Sequence, residues 1–254
     1  MPIGYILAGG RSSRMGTDKA MLTLHGEKNG ETFLSHAVRT LRTIADQVVL
    51  VGDRQHLEGA DRAIPDLHPN CGPLGGIEAA LRDASSNHQD WACFLPVDMP
   101  LFPPTLYAAL IQHWLALAPS GLRIGMVQVD DSPQPLVSVI HISTLPYIAD
   151  ALSRGRHKVT PVLQEAAESF SPLTSPAVGS GSNALEMILF ATASPASEPL
   201  LGTSNHYVNW KPSPQEESNR HLWFQNLNTP EDLRAARDFY AQPGSTKGPD
   251  VVSG

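Results

Sequence analysis

Cysteine is almost missing from this chain: Cys71 and Cys93 are the only two in 254 residues. Two thiols without C-x-x-C spacing exclude a disulfide framework, and both read as buried or unremarkable. His68-x-x-Cys71 has the spacing of a metal-ligand pair, but no second pair follows it, so no metal centre is read there. Positive charge is also short. A formal net charge of −7 argues against a nucleic-acid-binding surface while leaving room for a local basic pocket. No apolar run approaches the roughly 18 residues of a membrane span, and the N-terminus has no charged segment followed by an apolar stretch and small residues. A soluble, cytoplasmic protein without membrane or nucleic-acid partners is the expectation. Internal repeats are absent too.

What is present is a chain with 41% hydrophobic residues, enough for a sizeable core, and one domain is favoured over two small ones. Its densest chemistry lies at Ile6 to Lys19, I-L-A-G-G-R-S-S-R-M-G-T-D-K, where an apolar run opens into glycines and then basic residues. Gly9 and Gly10 carry no Cβ, so the backbone there turns sharply and a ligand approaches its N–H groups closely. Successive N–H groups in such a turn form a concave nest for anions. Arg11, Arg14 and Lys19 add more positive charge than an ordinary surface turn needs. A polyphosphate is the natural guest. The stretch is not a Walker A loop, because five residues separate Gly10 from Gly16 and Lys19 does not directly follow Gly16. The dinucleotide G-x-G-x-x-G is absent as well. Two readings stand, a phosphate cradle and a plain strand-to-helix connection.

Strands and helices alternate from there. Ile3 to Ala8 reads as a strand, and Phe33, Leu34, Ala37, Val38, Leu41, Ile44 and Ala45 recur at helical spacing. Gln47 to Gly52 reads as a strand buried on both faces, Arg62 to Ile64 as a short third one, and Trp91 to Val97 as a fourth. Gly72-Pro-Leu-Gly-Gly76 leads into a helix with Ile77, Ala80, Leu81 and Ala84 on its buried face. Pro103 and Pro104 open another, carried by Leu106, Leu110, Ile111, Trp114 and Leu117. Ile124 to Val129 and Leu136 to Ile142 supply further strands around a turn at Asp130 to Pro133, and Ser143 to Leu152 and Pro161 to Ala167 supply helices. This spacing predicts βαβ units, a mainly parallel sheet and helices on both faces. From Ser171 to Arg220 the texture turns to Ser, Pro, Gly, Thr and Asn, and a loosely structured insertion is expected. Its apolar island, Ala184 to Ala193, is alternatively a helix or edge strand docked on the main body. The division is thus one domain over 1–240 with an insertion at about 171–220, and a flexible tail over 241–254.

In open α/β sheets ligands bind beyond the carboxyl ends of the strands. Asp98 closes W-A-C-F-L-P-V, and Asp66 follows the short third strand. As a hard oxygen donor Asp98 suits Mg²⁺ beside substrate phosphates. A turn residue before Met99-Pro100, or after Pro65, is the bland alternative for each. Electrostatics favours the joint reading: two unit charges about 4 Å apart near a protein surface repel by roughly 4 kcal/mol, close to a thousandfold in affinity or rate. A site that brings a triphosphate to a second phosphorylated molecule therefore needs a metal and a cation. Asp98 and Lys19 supply that pair, and with Gly9 and Gly10 they outline a nucleotidyl-transfer centre.

L-A-G-G-R-S-S-R-M-G-T-D-K at 7–19, P-D at 65–66, G-P-L-G-G-I at 72–77, P-V-D-M-P at 96–100 and N-L-N-T-P-E-D-L at 226–233 occur in one order and frame nearly the whole chain outside the insertion and tail. Together they resemble the molybdenum cofactor guanylyltransferase family, although the first motif alone is shared with many nucleotidyltransferases. The resemblance implies a Rossmann-like, nucleotide-diphospho-sugar-transferase-type three-layer α/β fold. It also implies GTP and molybdenum-molybdopterin as substrates, Mg²⁺ as cofactor, pyrophosphate as by-product, and molybdopterin-delivery proteins and molybdoenzyme chaperones as further partners. By the same resemblance Leu7, Ala8 and Gly9 contact the nucleotide through their backbone, with Gly10 in the same loop. Lys19 takes its phosphates, Asp66 its nucleoside side, and Asp98 both nucleotide and Mg²⁺. Arg14 braces the loop, touches the leaving phosphates or pairs with a neighbouring acid. Asn226 and Asn228 match asparagines associated with the pterin substrate. Thr229, Pro230 and Asp232 form a helix start whatever the function, so the two asparagines alternatively shape the turn before it. Arg156 and Lys158 read as a solvated basic turn or as steering groups for the second substrate.

Three departures stand out. Asp53 occupies a place where the family often has asparagine, the segment H-G-E-K-N-G-E-T after Leu24 is long, and the Ser/Pro-rich insertion precedes the expected last strand, where order resumes at Leu222 to Leu227. The nearest rival is the cytidylyltransferase for the same cofactor, with G-P-L-G-G tilting towards guanine by resemblance. A non-catalytic nucleotide or molybdopterin binder is the rival of another class, and intact Lys19 and Asp98 speak against it.

Overall fold

The computed structural model describes residues 1–8, 18–24, 30–52, 59–170, 184–190, 200–202 and 207–240. Among them nine strands run in chain order as β1 Ile3–Leu7, β2 Val48–Val51, β3 Arg62–Ile64, β4 Trp91–Pro96, β5 Ile124–Val129, β6 Ser132–His141, β7 Leu185–Phe190, β8 Leu200–Gly202 and β9 Tyr207–Val208. The helices are α1 Phe33–Leu41, α2 Pro73–Ser86, α3 Pro104–Leu117, α4 Leu145–Ser153, α5 Val159–Ser169, α6 Pro214–Ser218 and α7 Pro230–Tyr240.

The strands form one sheet in the order β3-β2-β1-β4-β6-β5-β7-β8-β9. β3, β2, β1 and β4 are mutually parallel, as are β5 and β7. β6 opposes both β4 and β5, and β8 opposes both β7 and β9. Seven of the nine described strands therefore point one way, with β6 and β8 reversed.

Helices on both faces explain why the central strands are apolar throughout. All four residues of β2 are buried, and its pleat sends Val48 and Leu50 to one layer and Val49 and Val51 to the other. The first layer holds Leu34, Ala37, Val38 and Leu41 of α1 and Leu106, Leu110, Ile111 and Trp114 of α3. The second holds Ile77, Ala80, Leu81 and Ala84 of α2 with Ile148 of α4 and Leu163 of α5. Each fully buried aliphatic side chain contributes about 1.5–3 kcal/mol of transfer free energy, so the two layers dominate the fold. α1 starts where Thr32 Oγ1 accepts the Ser35 N–H at 3.0 Å. Trp114 lies against the bare backbone of Gly125, where a Cβ would fall 2.3 Å from its ring.

Two sequence expectations shift. G-P-L-G-G does not precede α2 but forms its first turn, with Gly72 at the cap in a left-handed conformation of φ 66° and Pro73 opening the helix. β6 begins at Ser132, four residues before Leu136, because Asp130 (φ 48°) and Asp131 alone make the hairpin turn. Pro133 and Pro135 are tolerated there because β4 pairs with β6 only from Ser138 onward, leaving one side of that stretch without a ladder.

Within the apolar island of residues 171–220, Leu185–Phe190 form strand β7. It pairs along its whole length with β5 and, with β8 beyond it, lies inside the sheet rather than at its edge. Leu222 to Leu227 is not a strand. A 3₁₀ turn over Arg220–Leu222 and an irregular stretch lead to α7. Trp223 is fully buried and donates its indole N–H to the Glu216 carbonyl at 3.0 Å, which accounts for order there without strand pairing. The tail from 241 lies outside the described residues.

Candidate active site

β1 leads through α1 to β2 on one side, whereas β3 leads through α2 back across to β4 on the other. The order reverses between β1 and β4, the switch point at which open α/β sheets bind ligands. Leu7 is level with Val51 and with Pro96, and Val51 with Ile64, so four parallel strands end on one rim. Ala8, Asp66 and Asp98 all follow those ends.

Lys19, Asp98 and Asn228 meet there. Lys19 opens a short 3₁₀ turn, Lys19–Met21, capped by Asp18, whose Oδ1 accepts the Ala20 N–H at 3.1 Å. Its ammonium lies 3.6 Å from Asp98 Oδ2 and donates a hydrogen bond to Asn228 Oδ1. Asp98 is two residues past β4, on a turn anchored by buried Met99, Leu101 and Phe102. His36 of α1 holds the same turn, its Nε2 lying 3.1 Å from the Phe102 carbonyl. Burial pushes the Asp98 carboxyl above its ordinary value and the Lys19 ammonium partly opposes this. A cation that neutralises Asp98 is therefore welcome at this point.

The segment carrying Asn228 is tied to the same turn through its backbone. The Leu227 N–H donates to the Asp98 carbonyl at 3.0 Å. Leu227, Leu233 and Ala236 join Phe33 of α1 and Leu101 in a small buried cluster, which seats α7 beside the rim. The expected helix start is present. Asp232 Oδ2 accepts the N–H groups of Asn228 at 3.0 Å and Thr229 at 2.8 Å, while Thr229 Oγ1 accepts the Asp232 N–H at 3.1 Å. The hydrogen bonds from Thr229 and Asn228 hold the Asp232 carboxyl below its usual range.

Asp66 is held differently. Its Oδ1 accepts the His68 N–H at 2.9 Å, and the loop lies against the first turn of α2, where a Cβ on Gly75 would fall 2.9 Å from Asp66 Oδ1. This explains the first glycine of that pair, where the helix N-terminus and the Asp66 loop touch with no room for a side chain, while a Cβ on Gly76 would fall 3.1 Å from Leu7. Asp66 thus shares the rim with Lys19 and Asp98 without direct contact to either among the described residues. Leu7 ends β1, and the Ala8 N–H is taken by the Val51 carbonyl at 3.0 Å, so Ala8 offers a ligand its carbonyl rather than its N–H. Asn226 is exposed. Arg156 is paired with Glu165 of α5 through Nη1 to Oε2 at 2.7 Å, as a solvated basic turn would be. Gly9, Gly10, Arg11, Arg14 and Asp53 lie outside the described residues.

Among the described residues no group of three or more His, Cys, Asp or Glu side chains gathers as a metal site. Mg²⁺ at phosphate-transfer sites commonly takes one or two carboxylates plus substrate oxygens, and a single hard donor at Asp98 fits that habit. No helix among the described residues is long and apolar enough to cross a membrane. The Lys19–Asn228 contact, spanning 209 positions, was invisible in the sequence, and the T-P-E-D capping motif was the one local signal near it.

A family model for the MobA-like NTP transferase domain matches residues 4–170, well over half the chain. This protein belongs to the MobA-like NTP transferase family. Relatives in that family include a protein of Rhodopirellula baltica named probable molybdenum cofactor guanylyltransferase, 32% identical over 150 residues that cover 56% of this chain and 69% of that one. A molybdenum cofactor guanylyltransferase of Xanthomonas euvesicatoria is 39% identical, covering 52% and 61%, and one of Vibrio cholerae is 32% identical, covering 65% and 78%. Among solved structures, molybdopterin-guanine dinucleotide biosynthesis protein A from Archaeoglobus fulgidus superposes with a TM-score of 0.57 at 20% identity, covering 93% of this chain and 97% of that one. Rv0371c from Mycobacterium tuberculosis does so with a TM-score of 0.51 at 16% identity, covering 93% and 98%. At those identities the likeness establishes the MobA-like three-layer fold, which extends past residue 170 into the part carrying β7 and α7.

Proposed function

We propose that this MobA-like protein transfers GMP from GTP to molybdenum-molybdopterin, forming molybdopterin guanine dinucleotide and releasing pyrophosphate. The observation that carries the reading is the meeting of Lys19, Asp98 and Asn228 at the sheet's switch point, in a chain whose family relatives bear the guanylyltransferase name. The glycine loop at Gly9 and Gly10, with Arg14, receives the triphosphate, Lys19 its phosphates, and Asp66 the nucleoside side. Leu7 and Ala8 line the base of the loop through their backbone. Asn226 and Asn228 face the pterin half.

A terminal phosphate oxygen of molybdopterin attacks the α-phosphorus of GTP, and the bond to the β-phosphate breaks. A phosphate monoester has a second pKa near roughly 6, so the attacking oxygen is already ionised at neutral pH. No proton has to move, which fits a site whose described residues are positioning groups without a His, Ser or Cys pair. Mg²⁺, held by Asp98, supplies neutralising charge for the phosphates when bound. Lys19 supplies the fixed charge and keeps the leaving phosphates oriented. On this reading 1–240 is one catalytic domain working in the cytoplasm, receiving its acceptor from molybdopterin-delivery proteins and handing product to molybdoenzyme chaperones.

The test is product formation with GTP, CTP and ATP in parallel, using Mg²⁺ and molybdenum-loaded molybdopterin, read by mass spectrometry. A pocket built around guanine's N1–H and N2–H₂ donors rejects bases lacking them strongly, so only GTP should yield a nucleotidylated pterin. Product from CTP but not GTP would overturn the guanine assignment, and no product from any triphosphate would overturn the catalytic one.

A further inference from the structure

Lys19 and Asn228 belong to motifs at opposite ends of the chain, one expected to face the nucleotide and the other the pterin, yet their side chains bond to each other. We propose that Asn228 is a positioning residue for the nucleotide half: its side-chain carbonyl holds the Lys19 ammonium beside Asp98, where the phosphates arrive. The inference rests on the reading of Lys19 as the phosphate-binding lysine.

The geometry supports a specific hold. The Lys19 side chain is only 18% exposed and that of Asp98 only 22%, so the ammonium sits in a confined place. Asp98 at 3.6 Å is beyond hydrogen-bond reach, and among the described residues Asn228 accepts a hydrogen bond that aims the ammonium. Asn228 is itself placed by three contacts within the protein. Its own N–H is fixed by Asp232, the adjacent Leu227 N–H by the Asp98 carbonyl, and the Leu227 side chain by the buried cluster at α7. Lysine carries four rotatable bonds, and an ordered acceptor removes much of the freedom that phosphate binding would otherwise have to remove. The segment 226–229 thereby links the two halves of the site, and by reciprocity whatever moves Lys19 is felt at Asn228.

The test is calorimetric binding of GTP with Mg²⁺ in the absence of any acceptor, so that pterin contacts make no contribution. Asn228→Ala should weaken GTP binding about tenfold, the effect of losing one hydrogen bond to a charged group. Glu231→Ala, an exposed neighbour three residues away, should stay within about twofold. In a Lys19→Ala background Asn228→Ala should cost nothing further, because its partner is gone. Additive losses in that cycle, or unchanged GTP affinity in Asn228→Ala, overturn the inference. Since only the backbone of Asn228 serves the helix cap, the variant should still fold, its melting temperature lowered by no more than the one side-chain hydrogen bond to Lys19. If it unfolds, Asn228→Ser, which retains a shorter polar side chain, takes its place in the same cycle. Wild-type protein that binds CTP instead of GTP would sink the guanine reading, and the same cycle with CTP would then decide the role of Asn228.

Discussion

Gly75→Ala puts the proposed nucleoside side of the site to a quantitative test. The new Cβ would fall 2.9 Å from Asp66 Oδ1, 3.0 Å from the His68 carbonyl and 3.1 Å from the His68 Cβ. Ordinary carbon–oxygen contacts lie at roughly 3.3–3.6 Å, so the Asp66 loop must retreat by about half an ångström. Two terms oppose each other in stability. Alanine gains up to about 1 kcal/mol over glycine within a helix, while overpacking costs about 1–3 kcal/mol. The net expectation is a loss of roughly 0–2 kcal/mol, within reach of a denaturant melt. The functional effect should be larger, because a displaced carboxylate loses a charge-assisted hydrogen bond of about 1.5–3 kcal/mol. That corresponds to a rise of about ten- to a hundredfold in KM for GTP, with kcat much less affected. A variant that gains the full helix benefit and keeps its KM would refute both the packing argument and the placement of Asp66 in the nucleotide site.

Asp98→Asn should lower Mg²⁺-dependent turnover by about a thousandfold without unfolding the protein, and turnover within tenfold of wild type would remove Asp98 from the chemistry. Tyr5 donates to Asp83 Oδ2 at 2.7 Å, and Arg62 grips both Asp83 oxygens at 2.6 and 2.7 Å. Tyr5→Phe should cost about 1–2 kcal/mol in a urea melt, whereas Asp83→Ala, which removes the partner of both Tyr5 and the half-buried Arg62, should cost more, about 2–3 kcal/mol. An inverted order would show that the network is not organised around Asp83. Burial would raise the Glu31 carboxyl, but the nearby His36 ring and two hydrogen bonds donated by Arg39 outweigh it and hold the group at about 2. Because the folded value is depressed, its contribution is present above the ordinary value of 4.5 and disappears as the pH falls towards about 2. Glu31→Gln should therefore lose at most about 1 kcal/mol at neutral pH, its carboxylate being 42% exposed, and nothing at the acid end. An equal loss at both ends would mean that packing, not charge, makes the contribution.

Local patterning alone dictates most of the elements in this protein. β1 to β5 and α1 to α5 follow from apolar runs and helical spacing, because a strand buried on both faces and a helix buried on one leave marks within a few residues of themselves. Asp66 and Asp98 were legible for the same reason, as acids directly after such runs. The signal fails where the deciding contact is remote. β7 looked like an island in polar sequence because its identity as a strand depends on β5, some sixty positions earlier. Leu222 to Leu227 looked like a strand, but its order comes from burying Trp223 and from one hydrogen bond to the Asp98 turn. The reach of β6 past two prolines depends on where β4 stops. The same limit applies to the site. Phosphate chemistry and helix capping are written in adjacent residues, whereas the Lys19–Asn228 contact exists only after the strand order has placed β1 beside β4 and the buried cluster has seated α7 on that rim. Sequence spells out the groups a transferase needs, and only the folded sheet decides which of them touch.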